Sequence, residues 1–255
     1  VIIKPDLFSD QTYRVHPWDV ENNPYLVFWA RVHNEPEALA KELGLKLRGG
    51  YSSAMMTQIE MRWEAISRYG FAIPDHAALS LIKKKSPNGV IEIGAGSGYW
   101  AKLLGALGVL VDAYDSYTGK YRHGFKHGSH ATVNKLDHAK ALSSEHTGLT
   151  LLLCWPDYQA SWPAEALDFY KGDTVVYVGE GSDGCTGDSK FHGMLYENWT
   201  ETDCLDIPQW FGIHDRVYIY KRGTNEEKTK DGDCAVPREP GSRSGQGHRR
   251  GPQGL

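Results

Sequence analysis

The sequence predicts an α/β fold: a three-layer, mainly parallel sheet with helices on both faces. Three observations predict it. From Val90 onward, short apolar runs alternate with amphipathic helical stretches. The first of these runs passes into a helix through a glycine-rich turn, Gly94-Ala95-Gly96-Ser97-Gly98. The last two runs, Asp203–Ile207 and Arg216–Tyr220, have no helix between them, so they pair as an antiparallel hairpin.

Each element follows from local pattern. Trp18, Tyr25, Phe28 and Trp29 read as anchors in an irregular N-terminal segment, spaced too unevenly for one element. Glu35–Leu47 reads as a short helix ending near Gly49-Gly50, and Ser52–Tyr69 as a longer one. Pro74-Asp75 opens a helix over Asp75–Lys84, and Ser86-Pro87-Asn88-Gly89 turns the chain. Strands are expected at Val90–Ile93, Val109–Tyr114, Ala131–Val133, Thr150–Trp155 and Thr174–Val178. The helices between them are Tyr99–Leu107, His138–Ser143, Ala164–Tyr170 and Ser189–Asn198. Beyond Gly223 there is no aromatic residue and almost no aliphatic one, so this tail lacks the apolar surface to offset its ordering entropy. The expected organisation is a helical cap over residues 1–73, an α/β domain over 74–222 and a disordered tail over 223–255.

Composition narrows the function. The chain has 255 residues, 40% hydrophobic and 24% charged, which is ordinary for a globular protein. A net charge of -4 argues against a general nucleic-acid binder. No apolar run is long enough to span a bilayer. No charged-then-apolar leader is visible, although the chain begins at Val1 and not at Met. Cys154, Cys185, Cys204 and Cys234 form no C-x-x-C pair, which fits reduced thiols in a cytoplasmic protein. No Walker A pattern is present. His123, His127 and His130 sit among helix-breaking glycines, so no metal site is expected, and Ser116–His130 reads as a basic loop.

The glycine turn carries the chemistry. It lies between a strand and a helix whose N-terminus offers unpaired N–H groups to an anion. Asp115 ends the next strand, about 20 residues on, where a carboxylate can accept ribose hydroxyls. Two ligands fit the spacing. Gly96, Gly98 and Ala101 satisfy the dinucleotide pattern of an NAD-dependent oxidoreductase. Glu92-Ile93-Gly94-Ala95-Gly96-Ser97-Gly98 resembles motif I of class I (Rossmann-like) S-adenosylmethionine-dependent methyltransferases. The resemblance extends in element order over roughly 74–222. It implies S-adenosyl-L-methionine as cofactor, with Gly94, Gly96 and Gly98 under its methionine part. It also implies Glu92 at the amino group, Asp115 at the ribose and Asp137 at the adenine amino group. Asp137 reads equally well as a helix N-cap.

Catalytic residues are expected at the carboxyl ends of the strands. Cys154-Trp155-Pro156-Asp157-Tyr158 partly resembles the Asp/Asn-Pro-Pro-Tyr/Phe motif of amino-group methyltransferases. Pro156 and Tyr158 match, Trp155 replaces the amide or carboxylate, and Asp157 stands at the second Pro. Glu180, flanked by Gly179 and Gly181, ends the following strand. Asp157, Glu180 and Tyr158 are therefore the candidates for acting on an unidentified acceptor. Either carboxylate would serve as a base if its pKa were raised. A methyltransferase-like domain that binds without turnover is the third reading, and Trp155 is its main support.

Overall fold

The computed structural model describes residues 2–3, 13–45, 51–117, 127–143 and 148–223. The tail expected beyond Gly223, Gly49-Gly50, Cys234 and His123 lie outside the described residues.

Strand β3 (Val90–Ile93) is buried on both faces and pairs in parallel with β4 (Val111–Asp115) and β6 (Thr150–Cys154). Outward from β4 runs the two-residue β5 (Asn134–Lys135); outward from β6 runs β7 (Thr174–Gly179). The final hairpin, β8 (Trp199–Asp206) and β9 (Arg216–Arg222), inserts β9 antiparallel against β7. The order β5-β4-β3-β6-β7-β9-β8 bears out the expected mainly parallel sheet closed by an antiparallel strand. The strands are added in one direction from β3 to β5 and in the other from β6 onward, so the order switches between the parallel β3 and β6, which opens a crevice at their carboxyl ends.

Alternation along the strands divides the core. Val90, Leu152, Val176, Val217 and Ile219 face one layer. Ile91, Ile93, Leu151, Leu153 and Val175 face the other. The second layer is covered by α7 (His138–Leu142), α8 (Trp162–Phe169) and α9 (Ser189–Asn198). The first is covered by α5 (His76–Lys85) and α6 (Tyr99–Ala106), and by the N-terminal helices α1 (Pro17–Asn22), α2 (Pro24–Asn34), α3 (Pro36–Glu42) and α4 (Tyr51–Arg68). A small antiparallel pair, β1 (Ile2–Ile3) with β2 (Tyr13–Arg14), precedes them.

Three expectations change. Tyr25, Phe28 and Trp29 share one helix face, because their spacings of three and four are helical. Only Trp18 is separate, cut off where Asn23 and Pro24 end α1 and start α2. α3 stops at Glu42, where Gly44 at φ 69° turns the chain. The third parallel strand is Asn134–Lys135, shifted beyond Ala131–Val133, because the register pairs Asn134 with Tyr114 and Lys135 with Asp115.

Asn23 joins the N-terminal helices to the sheet layer. It is fully buried with all four hydrogen bonds made. Its amide donates to Asp19 Oδ1 (3.1 Å) and Pro74 O (2.7 Å). Its Oδ1 accepts from Leu26 N (3.2 Å) and the Tyr99 hydroxyl (2.9 Å). Asn23→Ala removes a helix cap and strands buried donors and acceptors. It should destabilise the protein by about 2–4 kcal/mol, read from urea unfolding. A loss under about 1 kcal/mol would mean that water replaces the amide.

Candidate functional site

The glycine turn is set by packing as much as by any ligand. Gly94 (φ 73°) and Gly98 (φ 70°) adopt the left-handed conformation. A Cβ on Gly94 would lie 2.8 Å from the Trp162 ring, and one on Gly98 would lie 2.9 Å from Val133 Cγ2. Both glycines are therefore required by the protein's own side chains. Gly96 differs: its N–H donates to Asp115 Oδ2 at 2.9 Å. Asp115 Oδ1 accepts from Tyr117 N at 2.6 Å, and the Tyr117 hydroxyl donates back to Gly96 O at 3.0 Å. Asp115 thus clasps the turn to the end of β4.

A cavity of about 350 Å³ lies at the carboxyl ends of β3, β4 and β6. The structure brings Glu92, Gly94, Gly96, Asp115, Asp137 and Asp157 together in its wall. Gly98 sits one turn behind, at the N-cap of α6. Asp137 does cap α7, accepting Lys140 N at 2.9 Å, while its side chain still reaches the cavity. That N–H and the Lys140 ammonium hold its carboxyl below the usual range. Aromatic side chains supply the rest of the wall, among them Tyr69, Phe71, Trp100, Trp155 and Trp162. Sequence reasoning missed Trp100 and Trp162, whose spacing reads as ordinary helix packing.

Glu92 is the electrostatic centre. It is 1% exposed, and burial followed by the Asp115 charge pushes its carboxyl up to about 8. The Ala101 N–H, at the start of α6, opposes that shift. Oε2 is buried without a hydrogen-bond partner, as is Trp100 Nε1 in the same wall. An orphaned acceptor and an orphaned donor in one cavity suit a ligand with both polarities, such as an amino acid headgroup.

The three expected catalytic residues separate. Asp157 lines the cavity. Tyr158 is 62% exposed and is outside the lining. Glu180 is buried, also outside the lining, and fully engaged. Oε1 accepts from His214 N (2.8 Å) and Oε2 from Cys185 N (2.9 Å). Burial pushes its carboxyl up, but the Cys185 thiol and these N–H groups outweigh that and hold it below the usual range. The condition on which Glu180 would serve as a base, a raised pKa, is therefore not met; its carboxylate pins the loops after β7 and before β9.

Trp155 has a polar partner that no local signal reveals. Its indole N–H donates to Asp215 Oδ1 at 2.7 Å, across 60 residues. Asp215 is 1% exposed, and burial and then the Glu180 charge push its carboxyl up to about 7. Trp155 is left-handed (φ 52°), stacks on Phe71 at 4.5 Å and 7°, and has the Arg62 guanidinium 5.7 Å from its ring centre. His130, the last residue of the expected basic loop, stacks on Tyr69 and bonds Arg68 O. Among the described residues no cluster is suited to a metal ion, and no helix is long and apolar enough to cross a membrane.

The buried Glu92 carboxyl makes a signed prediction. Between pH 4.5 and about 8 the folded protein keeps a proton that the unfolded chain has lost. Its presence therefore costs stability increasingly across that window, with the full cost above it. Glu92→Gln should match wild type near pH 4.5 and exceed it at pH 9 by about 2–4 kcal/mol, an order-of-magnitude figure from the shift. Urea unfolding at both pH values measures this, and a pH-independent difference would refute the buried titration.

No family model and no curated protein sequence matches the chain. Solved structures do, at low identity. Magnesium protoporphyrin IX methyltransferase from Synechocystis PCC 6803, with bound SAM, is 13% identical. The match covers 80% of this chain and 94% of that one, at a TM-score of 0.41. The N-methyltransferase NodS of Bradyrhizobium japonicum is also 13% identical, covering 57% and 92%, at 0.42. The 1,6-didemethyltoxoflavin-N1-methyltransferase of Burkholderia thailandensis, with S-adenosylhomocysteine, is 12% identical, covering 85% and 97%, at 0.35. These are likenesses of fold.

Proposed function

We propose that the chain is an S-adenosylmethionine-dependent methyltransferase that transfers a methyl group to an unidentified acceptor. One observation carries the reading. Five of the six residues that the resemblance assigns to the cofactor meet in a single cavity at the sheet's switch point, and one of them, Glu92, has a buried oxygen without a partner. The residues present fit the group. Glu92 Oε2 would accept from the cofactor's ammonium, and Asp115, each of whose oxygens keeps a free lone pair, would accept from the ribose hydroxyls. Asp137 would receive the adenine amino group, and Gly96 would underlie the methionine part. When bound, the cofactor supplies a methyl group already activated on a sulfonium.

What remains for the protein is placement and exclusion of water. Phe71, Trp100 and Trp155 give the cavity an apolar side opposite its carboxyls' polar contacts, which is the surface that would shed water when ligands bind. Asp157 is the lining carboxylate at the end of β6, and in this reading it orients the acceptor or takes its proton. In this reading Glu180 acts through the loops it holds, and Tyr158, exposed and outside the lining, has no part in the chemistry. The NAD reading through Gly96, Gly98 and Ala101 finds no further support, and the choice of cofactor is put to the test below. The reading as a non-catalytic binder is tested by turnover.

S-Adenosylhomocysteine should raise the melting temperature and NAD should not; at 100 times its dissociation constant a ligand stabilises by about 2.7 kcal/mol. Asp115→Ala should weaken that binding by about 1.5–3 kcal/mol in a calorimetric titration. A shift with NAD alone would overturn the reading. With an acceptor found by a labelled-cofactor screen, Asp157→Asn should lower turnover by about 10²–10⁴-fold at unchanged cofactor affinity. Full turnover in that variant would remove Asp157 from the chemistry.

A further inference from the structure

Behind the aromatic wall lies a pair of acids that the reading above does not use. Trp155 lines the cavity, but its one polar side-chain atom is bonded to Asp215 Oδ1, on a residue outside the lining. Asp215 is well anchored. It is buried, its carbonyl accepts from the Gln209 amide at 3.0 Å, and the next residue, Arg216, pairs with Gly179 of β7. The sheet therefore fixes the carboxyl, and the indole is the partner that can move. Trp155 also needs holding, because its left-handed backbone (φ 52°) persists only where the surroundings enforce it. Its restraints are a backbone bond to Val178 O at 2.8 Å, the stack on Phe71 and the bond to Asp215.

The charge on Asp215 is set by its neighbours. Glu180, on the loop after β7, is kept ionised by the Cys185 and His214 N–H groups. Two nearby carboxyls in unlike settings titrate apart, so the proton falls to Asp215. Burial and then the Glu180 charge push it up to about 7, against the Trp155 N–H and the Arg62 charge from α4. The other titratable groups that face it are Cys154 on β6, Cys185, Tyr25 on α2 and Tyr177 on β7, and burial keeps all four uncharged at neutral pH. The His214 side chain is exposed and lies 3.5 Å from Glu180. An ionised acceptor makes a shorter and stronger bond to an N–H than a neutral acid does.

We propose that Asp215 is the positioning residue for the cavity's aromatic wall, and that losing or gaining its proton tightens or loosens Trp155 together with the Phe71 ring stacked on it. The proton exchanges with solvent, and no other bond is made or broken. The wall is firm above neutral pH and loose below it. Binding in the cavity is thereby linked to a proton held outside the lining. This device goes beyond the methyltransferase reading and does not rest on it.

The test is an NMR titration of the full chain, with isotope-labelled tryptophan and phenylalanine, from about pH 5 to about pH 9. Trp155→Phe and Phe71→Leu identify the two sets of resonances. In wild type the Trp155 indole N–H and the Phe71 ring should move together, with a shared midpoint at about 7. Asp215→Asn keeps an acceptor oxygen but has no charge to gain, and it should abolish both movements. Glu180→Gln should lower the midpoint and Arg62→Gln should raise it, each by removing one charge that faces Asp215. These two variants keep Asp215 itself and serve if the asparagine variant misfolds. Resonances constant across the range, a titration that survives Asp215→Asn, movement of Trp155 without Phe71, or a midpoint unmoved by both charge variants each overturns the proposal. The titration is read without cofactor, so its outcome is independent of whether S-adenosylhomocysteine binds.

Discussion

A carboxylate in the middle of the central strand constrains everything built around it. Glu92 lies on β3 between two parallel neighbours, with Val90 and Ile93 buried beside it. Water is excluded, and the N–H of Ala101, on the first turn of α6, favours the charged form but is outweighed by burial. That requirement fixes how the chain leaves β3. The helix must begin close to the strand end, so the connection must be short and left-handed at Gly94 and Gly98. The adjoining Asp115 carboxylate then holds Gly96, but its charge also raises the cost of ionising Glu92. The turn is stable, yet its central acid is under-satisfied. Such an imbalance is typical of a site that completes its hydrogen bonding with a ligand.

The N-terminal helices take part in this arrangement. Tyr99, on the first turn of α6, bonds Asn23, while Tyr25 N donates to the same hydroxyl at 3.0 Å. Tyr25 in turn stacks on Tyr69 and donates its hydroxyl to Phe71 O. Ser97, within the glycine turn, donates to Tyr69 O. The segment that roofs the cavity is therefore tied at both ends, to α2 and to the turn itself. Cavity shape, cap packing and turn geometry move together, and a change at Asn23 would reach the site through Tyr99.

How much of this was legible follows from how local each signal is. β3, the turn and the start of α6 were readable to the residue, because strand, glycines and helix start follow each other within eleven positions. Asp115 was readable because its distance from the turn is set by one helix and one strand. Tyr25, Phe28 and Trp29 were legible too, but grouping them with Trp18 hid their helical spacing. Glu180 was misjudged for a different reason. Two flanking glycines promise exposure, but its environment comes from His214, 34 residues later, folded back by the hairpin. Asp215 and Arg62 gave no signal, since each gains its meaning from Trp155, far away in sequence.

Trp155 shows how one replacement redirects a site. Where amino-group methyltransferases carry an amide or carboxylate, this chain has an indole whose only donor is spent on Asp215. The position therefore offers the acceptor a flat apolar surface and no polar contact. Asp157, two positions along the chain, is the charged side chain that lines the cavity beside it. Phe71 on its ring and Asp215 on its N–H hold the indole in place. The replacement thus turns the end of β6 from a polar contact into a fixed apolar platform and leaves polarity at that edge to the neighbouring Asp157.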